Sequence, residues 1–278
     1  MLPKGSIDHS QRIETNGVSV LDITQATSAT FSDLYFRQMF LFFIERGSKF
    51  ISDPVRGDLV GEAGDLIIFP AGVMVTMINR PLMDQSYKAT GVSYTRDLIE
   101  TVFPRRVQPS APPTVRILRA GEHKPSRILS LLRNTMTDND LPKGIRKSRM
   151  LEPLVWLQDK RVDVPTHGED SPISLVRRII DADLSYPWRA SDVAFELAMS
   201  EASMRRWLST TGQGFARILL SSRLERGLTL LQTTQAQVST IALECGFKTP
   251  SHFADAFRQR FGIKPKDIRS AANMIEIR

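Results

Sequence analysis

Histidines and a cysteine are the residues of this chain best suited to metal or covalent chemistry, and their placement argues against both. His9, His123, His167 and His252 are widely separated, none falls in a strand-like segment, and no two are neighbours. A metal-dependent oxygenase built on a β-barrel needs closely spaced histidines and a carboxylate. Cys245 is alone, which excludes an internal disulfide and a multi-cysteine zinc site, and it reads as a small packing residue. No catalytic residue, no metal ligand and no cofactor is expected, so the chain is read as a non-enzyme. What remains is non-covalent chemistry by paired cations. Arg205 and Arg206 follow Ala202 and Ser203 on one stretch of helical spacing. In isolation such a pair reads as a solvated helix face; a guanidinium can also bond the O6 and N7 of guanine together, a contact worth roughly 1–3 kcal/mol of discrimination.

Two segments position such side chains. In Asp192–Met199, Val193, Ala194 and Leu197 share one face, with Ser191 as a candidate N-cap. Met199-Ser200 follows, and the spacing of Met204, Trp207 and Leu208 predicts a second helix over Glu201–Ser209. The pattern recurs. Val238, Ile241, Ala242 and Cys245 share a face, Ser239 or its neighbourhood can cap, and Gly246 suits a left-handed terminator. A helix from Ser251 to Phe261 then turns Phe253, Ala256, Phe257 and Phe261 inward, with Pro250 in its first turn and Gly262 and Pro265 at its end. Between the units, Phe215–Gln232 carries Ile218, Leu219, Leu224, Leu228 and Leu231. A continuous helix of that length spans roughly 27 Å, and recognition helices on successive major-groove faces stand about 34 Å apart.

These stretches carry a specific resemblance. Arg223-Leu-Glu-Arg, Leu230-Leu231, Ile241-Ala-Leu-Glu-Cys-Gly-Phe, Ser251-His-Phe, Phe257-Arg-Gln-Arg-Phe-Gly and Pro265 resemble the signature of the AraC/XylS family of transcription regulators. The resemblance covers Ile173 to Arg269 and implies an all-α DNA-binding domain over 173–273. Its helix-turn-helix units lie at about 190–210 and 238–261, joined by a linker helix. It implies that Ala202, Arg205 and Arg206, with Ser203 beside them, face bases. In the second unit Pro250, Ser251, His252 and Asp255 hold the corresponding surface. Here the chain departs from the family, where an arginine is common at the position of Asp255. An acid there repels phosphate, although it can accept from cytosine N4. The second unit is therefore expected to grip the backbone, with Lys248, Arg258 and Arg260 as its cations.

Upstream, the texture is strand-like, with short apolar runs such as Met39–Ile44 and Leu66–Phe69 between Gly and Pro. Gly64-Asp-Leu-Ile-Ile-Phe-Pro-Ala-Gly72 resembles the cupin-like β-barrel that precedes the DNA-binding domain in many family members. The expected fold class is therefore α+β: a cupin-like barrel with following helices over 1–162, a linker over 163–172, then the all-α domain. A barrel without catalytic ligands can hold a small apolar or amphiphilic molecule. Tyr35, Phe36, Phe40, Phe42 and Phe69, with Phe31 and Phe43, are its candidate lining. The alternative is that these rings only fill the core. Helical spacing over Ser126–Met136 and Met150–Gln158 offers a homodimer contact through Ile128, Leu131, Leu132, Met150, Leu154 and Leu157, or packing within the subunit.

Composition agrees with a partner that is a polyanion. The 278 residues carry a formal charge of +7, and from Pro172 onward fifteen Lys and Arg stand against ten Asp and Glu. The cluster Lys143, Arg146, Lys147 and Arg149 reads as a solvated face. No apolar run reaches the eighteen or so residues of a membrane helix, and the polar N-terminus lacks a signal-peptide core. The chain is expected in the cytoplasm, with no membrane partner. The function expected is a sequence-specific activator of transcription that binds duplex DNA, works with RNA polymerase and answers to a small effector. Its rival is a regulator controlled by a protein partner that docks on the barrel.

Overall fold

The computed structural model describes residues 12–15, 17–103, 113–162, 164 and 171–269. Most of the expected linker, together with His9 and His167, lies outside them.

Among the described residues, the N-terminal part is built from ten antiparallel strands in two sheets. The first has the order β1(Arg12–Thr15), β2(Val18–Gln25), β9(Tyr87–Tyr94), β4(Phe40–Arg46), β7(Leu66–Phe69), β10(Arg116–Leu118); the second has β3(Ala29–Phe36), β8(Val73–Arg80), β5(Ser48–Asp53), β6(Gly57–Gly61). Alternation decides which way each strand faces. Val73, Val75, Met77 and Asn79 of β8 point inward, as do Lys49, Ile51 and Asp53 of β5. The Gly64-Asp65 turn is tied down by the Asp65 carboxylate, which accepts from the Glu62 and Ala120 amides at 3.0 and 2.8 Å.

The six-stranded sheet is buried on both faces. Its inner face, through Ile23, Phe42, Ile44, Ile67 and Phe69, meets Phe31, Ile51 and Val75 of the other sheet. On its outer face, Leu41, Phe43, Ile68 and Val92 pack under α1(Arg96–Val102), α3(Ser126–Thr137) and α4(Lys143–Asp159). A short helix, α2(Ala120–His123), leads into α3. The sheets face each other in the cupin-like manner, but among the described residues no strand of one hydrogen-bonds to a strand of the other, so the barrel is not closed.

The C-terminal part is helical. It comprises α5(Pro172–Ile180), α6(Ala190–Glu196), α7(Glu201–Ser209), α8(Phe215–Thr233), α9(Val238–Glu244) and α10(Pro250–Phe261), then a 3-10 turn, Pro265–Ile268. Helix α8 packs on β2 and α10 on β3. The inner-face core of the sheets continues without a break into Leu224, Leu228, Ile241, Phe253 and Phe257. These helices thus cover β2 and β3. No helix among the described residues is long and apolar enough to cross a membrane.

Candidate nucleic-acid interface

The first helix-turn-helix is α6 and α7. Its start is capped by Asp192, whose carboxylate accepts the Arg189 amide at 2.8 Å, so the N-cap is Arg189 and not Ser191. Ser200 caps α7 by accepting the Ser203 amide at 3.1 Å. Val193 and Ala194 pack on Met204 and Leu208, with Ile173, Val176 and Ile180 of α5 behind them. Packing that face inward turns Ala202, Arg205 and Arg206 outward, with Ser203 half-exposed. Arg205 reaches back to Glu201 one turn earlier, at 2.5 Å, an exposed pair worth little on its own.

The second unit is α9 and α10. Gln237 is the N-cap of α9 and gives no side-chain cap, so Ser239 lies inside the helix. Thr249 caps α10 by accepting the His252 amide at 3.2 Å, Pro250 occupies the first turn, and Gly262 ends the helix at φ +70°. Phe247, Phe253, Phe257 and Phe261 form a run of edge-on and tilted ring contacts at 4.7–5.5 Å. Gly227 of α8 makes room for it, since a Cβ there would stand 2.6 Å from the Phe253 ring. Lys248, Pro250, Ser251, His252, Asp255 and Arg258 are exposed together.

Arg260 departs from the expected set. Its guanidinium donates to the Asp33 carbonyl at 3.1 Å and lies 3.9 Å from the carboxylates of Asp33 and Glu225. It is held at the seam with β3, away from the exposed face of α10. Spacing marked it as a cation on that helix and could not show that β3 packs there.

Helix α8 carries the two units. Arg223 holds the loop before α6 by donating to Leu184 O at 3.1 Å and Tyr186 O at 2.9 Å. Arg269 caps the far end of α8 by donating to the carbonyls of Leu231 and Ala236, at 3.0 and 2.6 Å. Arg177 of α5 pairs with Glu225 of α8 at 2.5 Å. Burial opposes the charge of Arg177, but Glu225 outweighs it and the guanidinium pKa is raised.

A cavity of about 660 Å³ opens between the sheets and these helices. Tyr35, Phe36, Phe40 and Phe42 are among its lining; Leu21, Ile23, Met77 and Leu228 complete its apolar part. Phe69 stands behind, stacked on Phe36 at 4.2 Å. Two other candidates belong elsewhere. Phe31 packs edge-on against Phe261, and Phe43 points to the outer face of the sheet. Tyr35 is also a strut, hydrogen-bonded to Ser171 Oγ at 2.7 Å and Ser174 Oγ at 2.6 Å.

Beside the cavity lies a residue that sequence reasoning missed. Lys49 is fully buried, its ammonium 4.4 Å from the centre of the Phe42 ring and hydrogen-bonded to Asn79 Oδ1. Asn79 donates to Gln25 Oε1 at 2.8 Å, and Gln232 of α8 donates to the same oxygen at 2.8 Å. A polar thread thus runs from the interior of the sheets to the linker helix. Burial lowers the Lys49 pKa to about 7. The signal was the alternation of Ser48 to Asp53, which puts Lys49 on the face of Ile51.

The dimer candidates are placed within the subunit. Leu132, Met150, Leu154 and Leu157 are buried against the outer face of the sheet, Ile128 is half-buried there, and only Leu131 of the set is exposed. Four of the six therefore have no surface to offer a second copy. Lys143, Lys147 and Arg149 are exposed, whereas Arg146 donates to the Thr135 carbonyl at 2.9 Å. Among the described residues no group of three or more His, Cys, Asp or Glu comes together to hold a metal. Cys245 is buried, which pushes its thiol up to about 12.

Comparison with known proteins agrees with this geometry. A helix-turn-helix domain family matches residues 193–271. The transcriptional regulator YdeO of Shigella flexneri is 33% identical over 103 residues, 37% of this chain and 40% of that protein. The transcriptional regulator SirC of Salmonella typhimurium is 34% identical over 98 residues, 35% of this chain and 33% of that protein. The matched part thus spans well under half of either relative. Two solved structures extend the likeness to the whole fold. ToxT from Vibrio cholerae strain SCE256, bound to an unsaturated fatty acid, has a TM-score of 0.63 at 15% identity, covering 90% of this chain and 94% of that one. ToxT from Vibrio cholerae O395, bound to (E)-4-(8-methylnaphthalen-1-yl)but-3-enoic acid, has a TM-score of 0.64 at 14% identity, covering 91% and 98%. Residues 193–271 of the chain therefore match a helix-turn-helix domain family, carried behind a pair of cupin-like sheets.

Proposed function

We propose that the protein is a cytoplasmic, sequence-specific transcription activator that binds duplex DNA through both helix-turn-helix units and performs no catalysis. The observation that carries this reading is the repeated construction of the two units. In each, a capped second helix presents an exposed polar face, and α8 holds the pair together. Arg205 and Arg206 read bases, with Ala202 and Ser203 close enough to join them. Lys248 and Arg258 hold phosphates, and Pro250, Ser251, His252 and Asp255 lie against the groove. RNA polymerase is the partner that turns binding into activation.

The sheets supply control. A small apolar or amphiphilic molecule in the cavity touches both the strands and α8. It changes DNA affinity by binding the competent and incompetent arrangements unequally. The fatty acid and naphthalenyl butenoic acid of the ToxT structures fit an apolar cavity of this kind.

Genome-wide binding of the protein, beside its Arg205→Ala/Arg206→Ala double variant, tests the reading. Discrete peaks that share a motif and disappear in the variant are expected. Diffuse binding that the variant leaves unchanged would refute base reading by α7.

A further inference from the structure

The apolar end of the cavity says that its occupant has an apolar body; the polar end says what head group that body carries. Three cations line the seam: Arg37, Arg177 and Arg226. Each is already matched. Arg37 pairs with Asp181 at 3.3 Å, Arg177 with Glu225 at 2.5 Å, and Arg226 with Glu244 at 3.0 Å. Asp183 adds a fourth carboxylate to the same lining. An anionic head group placed here would lose its water and, among the described residues, meet no cation free to replace it.

Two buried polar atoms of residues in the wall are, by contrast, unused. Ser222 Oγ on α8 and Arg177 Nε on α5 are buried and have no hydrogen-bond partner among the described residues. Both residues line the cavity, and each is at least nine-tenths buried. Buried donors without partners are rare in native proteins and call for an explanation. A hydroxyl or carbonyl oxygen satisfies them without adding charge.

From this pairing of spent cations with idle donors we propose that the cavity selects an uncharged amphiphile, bearing a hydroxyl or carbonyl head between α5 and α8, over the carboxylate of the same chain. The proposal rests on the reading of the cavity as an effector site. It departs from the two acids seen with ToxT because, among the described residues, the seam of this chain has no cation to spare. Lys49 is the competing anchor for an acid. Its ammonium touches Phe42 and Met77, which line the wall, but Lys49 does not.

Titration calorimetry of the full chain with oleyl alcohol and with oleate separates these cases. The alcohol is expected to bind more tightly by about tenfold or more, since an unmatched buried charge costs more than one tenfold step. Ser222→Ala removes an unpartnered hydroxyl, so the fold tolerates it. It weakens the alcohol several-fold and leaves oleate unchanged. Glu225→Gln keeps an acceptor for Arg177 but removes the charge, and so raises oleate affinity. Lys49→Met leaves the alcohol unaffected. Tighter binding of oleate, lost in Lys49→Met and indifferent to Glu225→Gln, overturns the head-group assignment while sparing the effector site. Binding of neither probe overturns both.

Discussion

In the first helix-turn-helix unit the chain turns between helices at Ala198, with φ +53°; in the second it turns at Gly246, with φ +78°. The hydrogen bonds of the two turns match. The Met199 amide donates to Ala194 O and the Phe247 amide to Ala242 O, each at 3.0 Å. The surroundings differ. The first unit has its own small core with α5, touched from the sheets by Tyr35 and Met74. The core of the second runs continuously into the sheets, and its last helix is held to β3 by Arg260 and Phe31. One local plan has been set in two mechanical contexts, a unit hinged on α5 and α8 and a unit fused to the sheets. On the proposed reading of the cavity as an effector site, a signal from it reaches the second unit through shared packing. It reaches the first unit through α8 and the Arg177–Glu225 pair.

The largest expected effect tests that difference directly. Phe257→Ala leaves a hole in the shared core and should cost about 3–5 kcal/mol. Met204→Ala in the first unit should cost about 2–5 kcal/mol, yet confine the damage. Native-state hydrogen exchange separates them. Phe257→Ala is expected to lower protection in α9, α10, β2 and β3 together, and Met204→Ala in α5, α6 and α7 alone. Loss of protection in the strands after Met204→Ala would show that the two units are not anchored differently.

Lys49 gives the next effect, because it lies in the shared core. Its folded pKa of about 7 is below the usual 10.5, so between those values the unfolded chain binds more protons than the folded one. Stability must then rise with pH across that window, by up to ~1.4 kcal/mol per unit. The gain is complete above 10.5 and is lost as pH falls through 7. Lys49→Met should raise stability near neutral pH and flatten this slope. Urea unfolding from pH 7 to 9 measures both, and an unchanged slope would place the ammonium in water.

The two turns should respond oppositely to one methyl group. A Cβ at Gly246 would stand 2.2 Å from the Leu184 carbonyl oxygen, and φ there is left-handed. Gly246→Ala is expected to cost more than about 2 kcal/mol. Ala198 already bears that strain, so Ala198→Gly should release up to about 1 kcal/mol, reduced by the freedom glycine gains when unfolded. Thermal melting of both variants decides it. Destabilisation by Ala198→Gly would mean that the methyl group is needed for packing.

These contrasts were only partly legible in the amino-acid sequence. Local signals sufficed where the answer is local. Ser200 with the spacing of Met204, Trp207 and Leu208 delimits α7 at the observed Glu201–Ser209, and Gly64-Asp65 with Pro70 delimits β7. Periodicity shows which face of an element is buried but not what buries it. That is why Leu132, Leu154 and Leu157 read equally well as a dimer contact, and why Arg260 read as a phosphate ligand. Lys49 was missed for a related reason. In Ser48-Lys-Phe-Ile-Ser-Asp53 either alternating set could face inward, and a lysine paired with an isoleucine argues against its own burial until the partner strands are known.

The remaining effects concern DNA, and there the comparison predicts a difference in kind. Arg205 projects from the unit with its own core and needs only to leave Glu201 to meet a base edge. Arg205→Ala should weaken binding by roughly 1–3 kcal/mol at sites with the preferred base pair and relax preference at that position. Arg258 lies on the unit held against β3, beside the acid Asp255. Arg258→Ala should weaken all sites about equally and reduce the slope of log affinity against log salt by about 1. Fluorescence anisotropy across a set of single-base variants, at three salt concentrations, reads both quantities. A loss of base preference on removing Arg258 would make the fused unit a reader in its own right. Any rearrangement of the cavity would then change which sequence is bound as well as how tightly, because that unit cannot move without the sheets.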